Sequence, residues 1–434
     1  MAHPGTLPTI NKKAVASVLA IGCAVKGKIA PETYFERKNY FYPDIPKGYQ
    51  ISQYAYPLVS EGLLAGVAIT RIHLEEDTAR SLHVGDGSSL VDFNRAGVPL
   101  MELVTEPVIT SSQQAVYFAK ELQLLLRYLG ISDANMEKGE MRIEANISLS
   151  SQKNVLGTKV EVKNLNSFRA VERAIAFEQK RQESLLEGGE LVVQETRGWD
   201  EAKQKTIAQR KKESSEDYRY FPDPDLPRIV FGDIKEFDIN SIKKTIPELP
   251  EERRSRYQKL GISLEQSEIL VRNKIFSDFL EKVWEGKEDQ KDFVRTAVNY
   301  MVSDLFGMLR ERAGEDDFDL PNTISSESFA QLIHMALHGE ISSRGAKDIL
   351  KIMYEQGGYP ELIARESSLL QENDSDKLEE LVEEILETHK EVAESYRTGK
   401  DASLQFLVGQ GMKASKGSAN PQKLQTLLRE KLGG

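Results

Sequence analysis

Cysteine is nearly absent from this 434-residue chain, which contains only Cys23. A single cysteine forms no intramolecular disulfide and assembles no Cys/His zinc cluster, so disulfide frameworks and zinc ribbons are excluded. The sequence therefore predicts no zinc site in this chain and favours a reducing compartment. Cys23 lies in an apolar run, which favours a small buried hydrophobic residue over a reactive thiol.

Long hydrophobic runs are also absent. No stretch approaches the roughly 18 apolar residues that a membrane span needs, and residues 1–5 lack the basic and apolar regions of a signal peptide. The sequence therefore predicts no membrane partner. We expect a cytoplasmic protein, or one of an organellar stroma or matrix in a eukaryote, because no targeting segment is visible.

Basic residues are outnumbered, with 57 Lys and Arg against 68 Asp and Glu, and the formal net charge is −11. Such a chain repels polyanions in general, so any nucleic-acid contact needs a local basic patch. Residues 371–394 carry a net charge of −8 and residues 395–434 a net charge of +5. The basic end is the candidate nucleic-acid surface, with an ordinary solvated helix as the alternative.

The usual phosphate-binding and hydrolase motifs are missing: no GxxxxGK[ST] loop, GxSxG elbow or HExxH pair occurs. Instead, the first half mixes strands and helices. Residues 141–149 and 158–164 alternate apolar and polar residues and predict an antiparallel hairpin. A helix is expected from about residue 110 to Gly130, and another from about residue 167 to residue 188.

Strands and helices in this order favour an α+β catalytic domain, an antiparallel sheet with flanking helices, over a doubly wound sheet. An all-helical tail follows a proline-marked boundary. We expect the α+β domain over residues 1–245, a helical extension over 246–292, and an all-helical region over 293–434, with 360–434 as the tail domain.

The densest polar cluster runs from Arg71 to Glu106 and contains several carboxylates on or beside strands. Hard oxygen ligands of this kind suit Mg²⁺ shared with substrate phosphates; a solvated strand end is the alternative. The polar face of the hairpin is a second candidate, and there the alternative is an ordinary solvent-facing sheet. Its candidate contacts to ATP and substrate are Arg142, Glu144, Lys159 and Lys163.

Several long sequence segments are more informative than composition. Together they resemble segments of the B subunit of the tRNA-dependent aspartyl/glutamyl amidotransferase. The resemblance covers essentially the whole chain. The segments are RKNYFYPD at 37–44, YQISQ at 49–53, HLEED at 73–77, VDFNR at 91–95, PLME at 99–102, EVKNLNSF at 161–168, YRYFPDPD at 218–225 and MKASKGSANP at 412–421.

The resemblance implies a glutamine synthetase-like catalytic domain and a ligase that converts Glu-tRNA(Gln) or Asp-tRNA(Asn) into the amide form. In that family the B subunit phosphorylates the tRNA-borne carboxylate with ATP and Mg²⁺. A glutaminase A subunit supplies ammonia through a channel, and a small C subunit completes the heterotrimer.

Residue by residue, the resemblance implies Glu76 and Glu102 as metal ligands, with His73 and Glu75 as near neighbours. Three further residues, Lys38, Tyr40 and Tyr49, match the segment facing the channel exit. The resemblance also implies that the helical region over 293–434 binds tRNA, and Lys413, Lys416 and Lys423 of its basic end are the expected contacts.

Family members normally carry a further stretch ahead of residues 4–8, with a Glu-x-His strand of the metal site and often a cysteine-rich zinc module. From this departure we expect an incomplete metal site in the chain as given. An inactive tRNA-binding or scaffold fragment is therefore the alternative function, and a ligase for a small free substrate is a third hypothesis that the long tail disfavours.

Overall fold

A computed structural model describes residues 6–84, 87–152, 155–211, 218–313, 323–372, 375–415 and 418–433. The chain divides into two compact units, residues 1–250 and residues 251–434. The first contains strands and helices, and the second is helical apart from isolated bridges, within the described ranges. The α+β domain followed by a helical region is thus confirmed.

The first unit begins with a helix whose N-cap is Asn11, and the Asn11 side chain accepts the backbone N–H of Ala14. Small apolar residues at helical spacing bury one face of this helix against the main sheet. The elements up to residue 128 are α1 (Lys12–Ala24), β1 (Lys28–Ile29), β2 (Glu32–Thr33), β3 (Glu36–Asn39), β4 (Tyr49–Ser52), β5 (Val59–Ser60), β6 (Leu63–Leu64), β7 (Val67–Glu76), β8 (Arg80–His83), β9 (Ser89–Asp92), β10 (Pro99–Thr105) and α2 (Ser112–Tyr128).

The helix expected from about residue 110 is confirmed, and its N-cap is Ser111. Ser111 accepts the backbone N–H of Gln114, and the Gln114 side chain accepts that of Thr110. The main sheet has the order β1-β5-β7-β10, with β6 also paired to β7, and its partners are antiparallel. Its core face packs on α1 and α2.

A β-bulge interrupts the pairing of β7 with β10. Val104 pairs with Arg71, whereas its neighbour Thr105 pairs with Ile69, so Thr70 is the extra residue. Ile69 and Ile72 therefore both face the core although three positions separate them. After the bulge, the residues on the opposite face are Arg71, His73 and Glu75.

The second sheet of the first unit has the order β11-β12-β13-β14. Its first pair is antiparallel and confirms the predicted hairpin, whereas β12 and β13 run parallel. The remaining elements of this unit are β11 (Ile143–Ile147), β12 (Val160–Leu165), α3 (Phe168–Glu187), β13 (Glu195–Asp200), β14 (Lys205–Lys211), β15 (Phe221–Pro222), β16 (Ile229–Val230) and α4 (Ile239–Thr245). β15 pairs with β3, and β16 with β2.

Helix α3 covers one face of this second sheet and begins at its N-cap Ser167, as expected. A buried carboxylate, Glu178, joins the helix to the sheet. It accepts hydrogen bonds from Arg181 on its own helix and from Thr206 on β14, and Arg197 of β13 lies 3.7 Å away. Burial raises the pKa of Glu178, but these hydrogen bonds, that of Gln182 and the Arg181 charge outweigh it, so the pKa is lowered.

The second unit contains helices and a π-helical turn at Tyr300–Leu305. Its last helices enclose a separate small core between the acidic and basic stretches. The helices are α5 (Pro250–Lys259), α6 (Leu264–Arg272), α7 (Lys274–Val283), α8 (Lys291–Asn299), α9 (Phe306–Ala313), α10 (Ser326–Leu337), α11 (Ser343–Gln356), α12 (Pro360–Glu366), α13 (Ser375–Thr388), α14 (Lys390–Arg397), α15 (Ala402–Ala414) and α16 (Pro421–Leu432). No helix in the described part of the chain has the length and apolar character of a membrane span.

Candidate active site

The antiparallel pairing of β7 with β10 builds the central cluster of the candidate site. His73 lies directly opposite Glu102, and Glu75 lies two residues along the same face of β7. One nitrogen of His73 and one oxygen of each carboxylate lie within 4.8 Å of one another. His73 is 3% exposed and Glu75 is 7% exposed, so this group of donors is largely withdrawn from water.

His73 carries a buried nitrogen without a partner. Nδ1 makes no hydrogen bond to any residue that the structure describes, and Nε2 lies 3.7 Å from Glu75 Oε1. A buried polar atom without a partner is costly in a folded protein. One imidazole and two carboxylates form a donor set that suits a divalent cation such as Mg²⁺ or Mn²⁺, so the residues present fit a metal ion.

Glu75 is held in its ionised form by donors from β3 and β4. Its oxygens accept hydrogen bonds from Ser52 Oγ at 2.6 Å and Gln50 Nε2 at 3.1 Å, and Lys38 Nζ lies 3.5 Å away. Burial raises the pKa of this carboxyl, but the neighbouring His73 imidazole, the charge of Lys38 and the Ser52 hydroxyl outweigh it. The result is a pKa lowered to about 2.

Glu76 lies on the other side of β7 from this cluster. Its carboxylate accepts the backbone N–H of Ile51 at 2.8 Å and forms an ion pair with Lys47. A cavity of about 640 Å³ opens here and is lined by both Glu75 and Glu76 as well as by Tyr49. This volume is typical of small-molecule sites.

Tyrosine rings form a wall beside the cluster. Lys38 Nζ lies 5.4 Å from the ring centre of Tyr218, and the Tyr40 hydroxyl lies 3.5 Å from Gln50 Oε1. Burial, together with the charges of Asp44 and Glu75, raises the pKa of Tyr40, so its hydroxyl remains a neutral donor. Lys38 and Tyr40 therefore lie with the cluster, whereas Tyr49 faces the cavity on the Glu76 side.

Comparison with known proteins identifies the family of the chain. Residues 1–235 match the GatB/GatE catalytic domain, and residues 273–432 match the GatB domain. The chain belongs to the GatB family. A relative from Geobacillus kaustophilus is 43% identical over 446 residues, which cover 100% of this chain and 91% of the relative.

Further relatives extend the GatB match to other bacteria. One from Bacillus pumilus is 42% identical and covers 100% of this chain and 91% of the relative. One from Nitrosococcus oceani is also 42% identical, covering 99% of this chain and 91% of the relative. All three relatives are named as the B subunit of an aspartyl/glutamyl-tRNA(Asn/Gln) amidotransferase.

The second sheet of this GatB chain carries the residues predicted to contact ATP and substrate. Lys163 Nζ lies 3.0 Å from Glu144 Oε1 across the hairpin, and Arg142 and Lys159 are exposed just before β11 and β12. The structure therefore joins two of the four residues in an ion pair on an open face. Their role in nucleotide binding stays a prediction.

The predicted tRNA lysines lie around the last helix pair of the GatB domain. Lys413 is exposed in the last turn of α15, and Lys423 is exposed in the first turn of α16. Lys416 lies outside the described residues. Lys431 instead lies 2.7 Å from Glu383 of the acidic helix α13, so part of the basic charge is neutralised inside this tail.

Sequence reasoning missed Gln50 and Ser52 as partners of the cluster. Both belong to the YQISQ string at 49–53, and their two-residue spacing is the signal that places them on one face of a strand. It missed Tyr218 and Tyr220 as neighbours for another reason. Both tyrosines come just before β15, and β15 pairs with β3, which lies more than 180 residues earlier in the sequence. This pairing brings the tyrosines to the cluster.

Proposed function

We propose that this chain is the B subunit of an aspartyl/glutamyl-tRNA(Asn/Gln) amidotransferase, a glutamine-using carbon–nitrogen ligase. It would convert Glu-tRNA(Gln), Asp-tRNA(Asn) or both to the amide form. The observation that carries the proposal is the match of 99–100% of the chain to relatives of that name at 42–43% identity. The buried carboxylate–histidine cluster would supply the metal site that such a reaction requires.

A carboxylate is a poor electrophile, so its oxygen is first phosphorylated by ATP, and ammonia then displaces phosphate from the acyl phosphate. His73, Glu75 and Glu102 would hold Mg²⁺, since one nitrogen of His73 and one oxygen of each carboxylate converge. When bound, Mg²⁺ neutralises charge on the ATP phosphates and on the developing transition state. Glu76, the ligand predicted from sequence, faces Lys47 instead.

The residues around the cluster keep it charged and in place. Ser52 and Gln50 fix the two oxygens of Glu75, and Lys38 balances its charge. Tyr40 offers a neutral hydroxyl donor on the same side, where the resemblance to the family places the arrival of ammonia. These groups would orient the reacting carboxylate and limit the access of water.

The partners follow from the same proposal. A glutaminase A subunit would supply ammonia, a small C subunit would complete a heterotrimer, and a mischarged tRNA would carry the substrate. The tail would contact the tRNA through Lys413, Lys416 and Lys423. Its local basic charge supports this, because a chain of net charge −11 needs such a patch to bind a polyanion. A cytoplasmic location fits a translation enzyme.

The decisive experiment is amidation by the complex. The chain is co-purified with A and C subunits and given ATP, Mg²⁺, glutamine and Glu-tRNA(Gln) or Asp-tRNA(Asn), and amidated aminoacyl-tRNA is quantified. Amidated product that depends on this chain and on ATP supports the proposal. Retained tRNA binding without ATP-dependent amidation would instead establish the scaffold alternative.

Three isosteric variants, Glu75→Gln, Glu76→Gln and Glu102→Gln, test the metal ligands. We expect Glu75→Gln and Glu102→Gln to raise the Mg²⁺ concentration for half-maximal activity at least about 10-fold, and to weaken Mn²⁺ binding to the complex equally in the absence of ATP. Glu76→Gln is the matched control because its carboxylate lies outside the cluster. A large effect confined to Glu76→Gln would overturn this ligand set.

A further inference from the structure

Arg71 is a cation beside the cluster that has no ion-pair partner among the residues that the structure describes. It follows the β-bulge in β7 and lies on the same face as His73, two residues along the strand. Its Nε is buried and donates no hydrogen bond to a described residue. Among the described residues, no carboxylate oxygen lies within 4.0 Å of the Arg71 guanidinium nitrogens.

Other arginines of the first unit are paired in the ordinary way. Arg37 lies 2.8 Å from Asp223, Arg95 lies 2.9 Å from Asp77, and Arg197 pairs with Glu195. An arginine remains charged at any physiological pH and carries five N–H donors. Leaving one of those donors buried without an acceptor is costly, and an external acceptor removes that cost.

The surroundings of Arg71 point to a small acceptor on the cluster side. Its Cζ lies 5.9 Å from the ring centre of Tyr54, and Tyr54 stacks on Tyr220 at 4.7 Å. The Tyr54 ring flanks the guanidinium but provides no acceptor for the buried Nε. Adjacent residues of one strand face lie about 7 Å apart, so a group bound at His73 is within reach of Arg71.

We propose that Arg71 binds an oxyanion of the reacting substrates next to the His73–Glu75–Glu102 cluster. The planar guanidinium fork matches the two oxygens of a carboxylate or phosphate. Two sources of this group meet at the site: the side-chain carboxylate on the tRNA and the terminal phosphate of ATP. This inference rests on the proposed function, because both substrates come from it.

The test measures steady-state amidation by the assembled complex with Arg71→Lys and Arg71→Gln. Arg173→Gln is the matched control, since Arg173 lies on α3 with its side chain 38% exposed and 3.5 Å from Glu201. We expect Arg71→Gln to raise one KM on the order of 10- to 100-fold, the usual effect of losing a charge-assisted contact. Arg71→Lys keeps the charge but loses the fork, so its rise is smaller.

The KM values for mischarged tRNA and for ATP, measured separately, identify the oxyanion. A raised KM for mischarged tRNA assigns the carboxylate, and a raised KM for ATP assigns the phosphate, with the KM for glutamine unchanged in either case. A second readout needs no turnover: in the absence of ATP, Arg71→Gln removes any preference of the complex for Glu-tRNA(Gln) over uncharged tRNA if the carboxylate is the ligand.

The inference is overturned if both KM values of Arg71→Gln stay within about 3-fold of those of the unaltered complex, since a lost charge-assisted contact has a larger effect. It is also overturned if Arg71→Lys and Arg71→Gln lower kcat and the melting temperature together while leaving KM unchanged, because that pattern is structural. An unaltered complex that fails to amidate tRNA refutes the proposed function instead, so the two failures are distinguishable.

Discussion

Gly411 marks the closest approach between the helices of the tail domain. A Cβ atom built there would lie 2.3 Å from Leu424 Cδ2 and 3.0 Å from Ile385 Cδ1, whereas carbon atoms in contact normally lie about 3.5–4.0 Å apart. Leu424 is fully buried. Gly411→Ala therefore forces Leu424 to move by more than an ångström in a filled core, and overpacking of this kind costs about 1–3 kcal/mol.

Gly409 provides a matched control on the same helix. It is exposed, and a Cβ atom built there meets nothing within 4 Å. Both substitutions gain the same helix propensity, about 1 kcal/mol, because both replace glycine within α15. This gain cancels in the comparison, so the two variants should differ by the overpacking cost alone, about 1–3 kcal/mol.

Amide hydrogen exchange on the full chain measures this difference where it arises. The free energy of opening for amides of α15 and α16 should be lower in Gly411→Ala than in Gly409→Ala by that amount. In the double variant Gly411→Ala, Leu424→Val the loss should be smaller than the sum of the two single losses, since the shorter side chain makes room. Equal protection in the two alanine variants would refute the close packing on which this reasoning depends.

Three further predictions concern charged residues. Because the pKa of Glu75 is lowered to about 2 from an ordinary 4.5, its contribution is complete above pH 4.5 and lost as the pH falls towards 2. In urea unfolding, the free energy of unfolding of the unaltered chain should fall between about pH 6 and pH 3.5 by about 1.4 kcal/mol more than that of Glu75→Gln. An equal fall in the two proteins would contradict this prediction. Glu178→Ala leaves two arginines without their buried partner, so thermal unfolding should show a loss of about 3–5 kcal/mol, and a loss below about 1 kcal/mol would argue against the network. Replacing Lys413 by glutamine should reduce the slope of log affinity for tRNA against log salt by about one unit, whereas Lys431→Gln, whose charge is paired with acidic α13, should leave the slope nearly unchanged; the opposite order would place the tRNA surface elsewhere.

The sequence predicted those helices and strands whose signals lie within their own residues or directly beside them. The hairpin of β11 and β12 follows from strict alternation, and the start of α3 follows from the cap Ser167. The division into a sheet-containing unit and a helical unit follows from composition and from the prolines between them. These features depend on neighbours in sequence, which a single chain displays directly.

The sequence alone did not predict which residues of β7 face the core and which face the candidate site, and the reason is physical. Val67 and Ile69 alone place odd-numbered residues towards the core. If that alternation continued along the strand, Glu76 would lie on the opposite face, which carries the candidate site. The bulge at Thr70 reverses the phase, so Glu75 points outward beside His73. The apolar pattern does shift between Ile69 and Ile72, but which residue is the extra one is defined only by the pairing with the partner strand β10.

The same bulge makes β7 sensitive to changes in chain length as well as to changes in side-chain identity. One strand supplies core residues before and after Thr70, and its alternate face carries Arg71, His73 and Glu75. Removing Thr70 itself would leave a regular ladder with the same faces, whereas removing a residue on either side of it would turn part of the apolar set to the wrong face. Related sequences should therefore exchange core-facing apolar residues of this strand for one another, yet keep the number of residues fixed on each side of the bulge.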